Sequence, residues 1–171
     1  MTASFEKAMK LAVLSGLKAA LGPALLKTAQ RKPDASHWVA AAIGEMVLDK
    51  VGFVPSRRSL PLLIPHAISG AWVAMESMRE DGDEDPWAAP MGAVVAAGVA
   101  TIAPMLRVTG STVLRIPDAV LGVAEDYFAL KLGTETLGLT MNDVSDAAKQ
   151  SVEEIKERVM PVVQSIGAGS M

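Results

Sequence analysis

The sequence contains no cysteine, which excludes thiol catalysis, iron–sulfur clusters, thiolate zinc sites and disulfide staples. Aromatic residues make up only 4% of the chain and charged residues 20%. A basic stripe is missing as well: the formal net charge is −3, and cations stand as isolated pairs such as Arg31 with Lys32 and Arg57 with Arg58. Nucleic-acid binding therefore has no electrostatic footprint. The Gly-x-Ser-x-Gly pattern of a nucleophile elbow and Gly-rich phosphate loops are absent, and His37 and His66 lack metal-ligand spacing. No catalytic residue, cofactor or metal is expected, and the chain reads as a non-enzyme.

What is there is apolar and small. Half of the 171 residues are hydrophobic, mean hydropathy is +0.31, and Ala (27) with Gly (14) makes nearly a quarter of the chain. Small residues at that level suggest closely packed helices. Lone charges set inside apolar segments fit a small helical membrane protein better than an ordinary soluble domain.

Five apolar segments are punctuated by polar turns. The first, about 8–27, carries Gly16 and Gly22-Pro23 and is expected to belong to the mature fold rather than to a signal peptide. The second, about 36–51, opens with Ser36 as its expected N-cap and contains Glu45, Asp49 and Lys50. The third, about 59–78, has Pro61 and Pro65 near its start, which predict an irregular beginning. An acidic linker, Glu80 to Asp85, leads to the fourth, Pro86 to Leu106, with no formal charge over 21 residues. A bilayer core needs roughly 20 apolar residues, so this is the best spanning candidate. Arg107 closes it, and Gly110-Ser111-Thr112 predicts a turn. The fifth, about 117–133, opens with Pro117 at the expected first helical position and contains Glu125, Asp126 and Lys131.

Residues 142–166 differ in character. Asn142-Asp143 predicts a cap, and Ala148, Val152, Ile155, Val159, Val162 and Ile166 recur at spacings of four and three. That pattern predicts an amphipathic helix, kinked at Pro161. Its stripe packs on the protein's own surface, lies on the bilayer interface or meets a partner coiled coil. The domain boundary is set at 135: residues 1–135 form the transmembrane helical domain and 136–171 the C-terminal helix and tail.

Two features carry the functional reading. Segment four aligns Ala89, Ala93 and Ala97 on one face with Gly92, Ala96 and Ala100 beside them, a helix-packing face of the kind used in lipid. Trp38 and Trp87 each stand at the start of a segment, which suits indole at a membrane interface. Glu45 and Asp49, four apart, share a helix face, as do Asp118 and Glu125, seven apart. In a bilayer such charges cost several kcal/mol each unless paired, so they should face the bundle interior. Lys18, Glu45, Asp49, Lys50, Arg57, Glu125 and Asp126 are the expected polar cluster. It reads either as an ion, proton or solute path or as salt bridges locking helices together.

Gly16, Pro23 and Glu45 are spaced 7 and 22 apart, and Gly98, Pro104 and Glu125 are spaced 6 and 21 apart. With one segment between the copies, these spacings suggest an inverted repeat, the plan of many transporters. Basic residues near segment ends favour a cytoplasmic N-terminus.

Gly44-Glu45-Met46-Val47-Leu48-Asp49-Lys50, then Pro55-Ser56-Arg57 and Ala67-Ile68-Ser69-Gly70-Ala71, resemble the central motif of small bacterial membrane proteins grouped as domain of unknown function 4126. Gly16-Leu17-Lys18-Ala19 through Gly22-Pro23 is similar to that family's first helix, and Ala124 to Leu130 to its final acidic helix. The resemblance covers about residues 10–133; it departs at Lys18, where the family usually has Arg, and after Gly133. It implies an integral membrane helical protein and supplies no activity.

The expectation is an all-α, multi-spanning transmembrane bundle of four to five segments, located in the cell inner membrane. Its expected partners are the lipid bilayer and either further copies of itself or a larger membrane complex. It would act as a scaffold subunit or a minimal ion or solute conduit. The alternative is a soluble or peripheral all-helical interaction module that buries its apolar faces in an oligomer.

Overall fold

A computed structural model describes residues 2–50 and 60–168. Among them are seven helices and no strand: α1 (Ala3–Leu17), α2 (Leu21–Ala29), α3 (Ala35–Lys50), α4 (Leu60–Glu80), α5 (Ala88–Leu114), α6 (Asp118–Leu137) and α7 (Met141–Ala168).

The first apolar segment is not one helix. It breaks at Lys18, whose backbone is extended (φ −141°, ψ 121°), and α2 folds back on α1. A Cβ at Gly22 would lie 2.1 Å from Ser15 Oγ and 3.1 Å from the Leu11 carbonyl oxygen. A continuous helix would separate those residues by about 10 and 16 Å along its axis.

Several boundaries differ from those the sequence suggests, each for a local reason. α3 starts at Ala35, so Ser36 lies inside its first turn. α4 runs through Pro65, which sits close enough to the start that the lost backbone bond is confined to the first turns. α5 continues through Gly110-Ser111-Thr112 because the Ser111 and Thr112 hydroxyls donate back to the Val108 carbonyl at 3.0 and 2.9 Å, satisfying themselves within the helix. It ends at Arg115, which adopts the left-handed conformation (φ 55°). Pro117 is the N-cap of α6 rather than its first residue, and α6 passes Gly133 to stop at Gly138 (φ 66°), where only glycine is unstrained. α7 is capped by Thr140: the Asp143 N–H donates to the Thr140 hydroxyl at 3.2 Å, and the Asp143 carboxylate accepts from the Thr140 N–H and hydroxyl, both at 2.7 Å. The helix is continuous through position 161.

α1, α4 and α5 meet through small residues. A Cβ at Gly92 would stand 2.4 Å from the Gly70 carbonyl oxygen, and one at Gly16 would stand 2.7 Å from the Ala96 carbonyl oxygen. Gly92, Ala96 and Ala100 are buried in this contact, whereas Ala93 and Ala97 are half-buried. A second layer joins Leu11, Leu14, Leu21, Leu25 and Leu26 to Val73 and Ala129. α7 lies along α3, where the Ser151 hydroxyl donates to the Ser36 carbonyl at 2.8 Å and Val144, Ala147 and Ala148 cover the core. Farther along its stripe, Val152 and Ile155 are exposed. Trp38 stacks on Trp72 with ring centroids 6.2 Å apart, beneath Lys27, while Trp87 stands exposed.

The exterior of α4, α5 and α6 is apolar. Ile64 and Ile68 on α4, Val94, Ile102 and Leu106 on α5, and Val123, Tyr127 and Phe128 on α6 all face outward. Among the described helices, α5 alone is both long and apolar enough to cross a membrane, with a mean hydropathy of 1.7 over its best stretch. Four to five such helices were expected. At 15, 9 and 16 residues, α1, α2 and α3 fall short of the roughly 20 a bilayer core requires. The two halves of the suggested repeat also differ, since α1 and α2 form a hairpin while α5 continues through Pro104.

Candidate buried ion cluster

Four helices bring charged side chains together near one end of the bundle. The break in α1 places Lys18 at the hairpin tip, where its side chain is 1% exposed. Its Nζ lies 2.9 Å from Asp49 Oδ2 at the end of α3, 3.3 Å from Asp126 Oδ1 and 3.9 Å from Glu125 Oε1, both on α6. Lys50 forms a short ion pair with Asp126 Oδ2 and also donates to the Met46 carbonyl at 3.0 Å.

Arg107 is the second centre. Its Nη1 approaches Asp49 Oδ2 at 2.7 Å and Glu125 Oε2 at 3.8 Å. The other edge of the guanidinium grips Asp118 through both carboxylate oxygens, at 2.8 and 2.9 Å, in the bidentate geometry that suits arginine. Gly122 makes room for this group: a Cβ there would come within 3.3 Å of Arg107 Nη1. Asp49 and Glu125 thus each face both Lys18 and Arg107. Glu125 Oε1 and Asp126 Oδ1 are buried and accept no hydrogen bond from a described residue.

The helix break uncovers backbone groups, and neighbouring side chains satisfy them. The Ala20 N–H donates to Glu45 Oε2 at 2.9 Å, the Ser69 hydroxyl donates to the Ala19 carbonyl at 2.5 Å, and His66 Nδ1 lies 2.7 Å from the Ser15 carbonyl oxygen. That last contact requires the proton on Nδ1. An irregular backbone at this position is tolerated because these partners satisfy its polar groups.

Of the residues singled out from sequence, Lys18, Asp49, Lys50, Glu125 and Asp126 are brought together. Glu45 is not part of the ion cluster and instead supports the break. Arg57 lies outside the described residues. Arg107 and Asp118 were missed as cluster members, although Arg107 is the one cation within α5 and Asp118 shares a face with Glu125. No group of three or more acidic or histidine side chains able to hold a metal ion occurs among the described residues. The chain matches no protein-family model, and no curated protein or solved structure is significantly similar to it.

Proposed function

We propose that the chain is an integral protein of the bacterial inner membrane and that its ion cluster is a station for protons on a polar path through the bundle. The observation that carries this reading is the inverted polarity. Charges are gathered inside, with Lys18 at 1% exposed, while large apolar side chains cover the outside of α4, α5 and α6. Water-soluble proteins have little reason to spend buried charge while exposing Val94, Leu106 and Phe128, whereas a bilayer favours both choices. The resemblance to the domain of unknown function 4126 family belongs to the same proposal.

A path would enter near Asp118 on the rim and reach Glu125 and then Asp126 beside Lys18, with Arg107, which keeps its protons, holding Asp118 in place. Glu125 Oε1 and Asp126 Oδ1, which face Lys18 without accepting a hydrogen bond, are where a proton would be received, and its arrival would loosen their pairing with Lys18 and, for Glu125, with Arg107. Wild-type protein and the Glu45→Gln and Glu125→Gln variants, reconstituted in proteoliposomes, provide the test. Glu125→Gln should reduce proton flux per folded molecule at least about ten-fold, the equivalent of about 1.4 kcal/mol, beyond any loss of folded yield; Glu45→Gln should act mainly on stability. Equal flux in wild type and Glu125→Gln would overturn the conduit.

A second reading, a static lock in a scaffold subunit, is favoured by Lys18 and Arg107 each contacting acids on both α3 and α6. It predicts no flux in any variant and a loss of stability. A soluble or peripheral module would bury the same apolar faces in an oligomer. Carbonate extraction separates it from both membrane readings, because release of native protein into detergent-free buffer would remove the bilayer from the account.

A further inference from the structure

We propose that the cleft beside the α2–α3 and α6–α7 turns binds an anionic phospholipid, with its head group at Arg31 and Lys32 and one chain end inserted between α2, α3, α6 and α7. Two cavities abut there. One, of about 630 Å³, is polar and is lined by Arg31, Lys32, Ser36 and Gln150 among others. The other, of about 130 Å³, is apolar and is walled by Leu21, Leu25, Val39, Ile43, Met46 and Leu130. Thr28 and Ala147 line both, so the two spaces adjoin at these side chains. The apolar slot is close in size to engineered cavities of about 150 Å³ that take up benzene, enough for the end of a hydrocarbon chain.

The charges at the mouth are unevenly engaged. Asp143 accepts from Thr140, and Asp146 is paired with Lys149 at 3.0 Å. Arg31 and Lys32 form no close ion pair with a described residue; Arg31 acts on the Asp143 carboxylate only through space, so both cations can still turn to an anionic group. Arg31 and lysine together suit a phosphate diester, one through a planar fork and the other through a mobile point charge. A free anion would use only the polar half, whereas an amphiphile uses both. None of these residues belongs to the ion cluster, so this site stands or falls independently of proton flux.

The test is native mass spectrometry of the detergent-purified full chain with dioleoyl phosphatidylglycerol or dioleoyl phosphatidylcholine. Wild type should retain one phosphatidylglycerol per chain, about ten-fold more tightly than phosphatidylcholine. The exposed double variant Arg31→Gln with Lys32→Gln should lose that preference without losing fold. Ala147→Leu, which adds bulk where the cavities adjoin, should weaken phosphatidylglycerol while the cations remain; if it fails to fold, Thr28→Leu serves the same purpose. Equal retention of both lipids by wild type would overturn the proposal. So would displacement of phosphatidylglycerol by millimolar inorganic phosphate, which would make the site one for a soluble anion.

Discussion

Lys18 ties α1 to the ion cluster, because one ammonium group faces carboxylates from two other helices while shielded from solvent. Removing one member of a buried charge group leaves the others uncompensated, at a cost of about 3–5 kcal/mol. Lys18→Met is therefore expected to lower unfolding stability in detergent by that amount; a loss under about 1 kcal/mol, the range of exposed pairs, would mean that water reaches the cluster. The residues of this cluster were largely legible in the sequence, because a charge in an apolar segment must find a partner. Arg107 was not, since it stands at the edge of an apolar run and reads as punctuation, whereas the sequence places Asp118 on the face of Glu125 without joining it to the cluster. Glu45 was misread for a different reason: its partner is the Ala20 N–H, a donor that exists only because the helix breaks two residues earlier.

At the scale of elements, the α4–α5 contact depends on the absence of side chains at Gly70 and Gly92. Gly92→Val would drive carbon into the Gly70 carbonyl and is expected to cost at least about 1–3 kcal/mol as overpacking. Gly98, on the same helix, has nothing within 4 Å, so Gly98→Ala should instead gain up to about 1 kcal/mol from helix propensity. Thermal melts of the pair distinguish close packing from a general intolerance of α5 to substitution. The start of α7 responds to acid. The Thr140 hydroxyl, then its backbone N–H, holds the Asp143 carboxyl below the usual carboxylate range, so the folded state favours its ionised form. This contribution is present above the unfolded value of about 4 and is lost as pH falls through the lower folded value. Thr140→Val should flatten the acid limb of a melting-temperature profile below about pH 4; superimposable limbs would show that the cap adds nothing. Helix existence was readable from apolar spacing, but several ends were not. Gly110, Ser111 and Gly133 look like stops in isolation and become helical because hydroxyls bond back to Val108 and because Leu14 and Leu25 fill the space at Gly133.

The whole molecule separates two kinds of surface. Outward apolar side chains lie on α4, α5 and α6, whereas α7 turns a charged face outward with pairs such as Glu153–Lys156 and Glu154–Arg158. Under the proposed membrane reading, a chain ending after Thr140 is expected to sediment with membranes no less than the full chain. Loss of membrane association on that truncation would assign the anchoring to α7. The all-helical class followed from composition and spacing. The hairpin of α1 and α2 did not, because nothing in Gly16 to Pro23 distinguishes a helix that bends from one that turns back; only the crowding of Gly22 against Leu11 and Ser15 reveals it.

That hairpin also sets an order of assembly. Asp126 follows Lys18 by more than a hundred residues, so the hairpin tip has no complete set of counter-charges until α6 exists. Contacts that close so long a loop form late and slowly. The hairpin is therefore a late element to reach its final seat, and until α6 is in place Asp49 on α3 is the one acid of this set that Lys18 can meet.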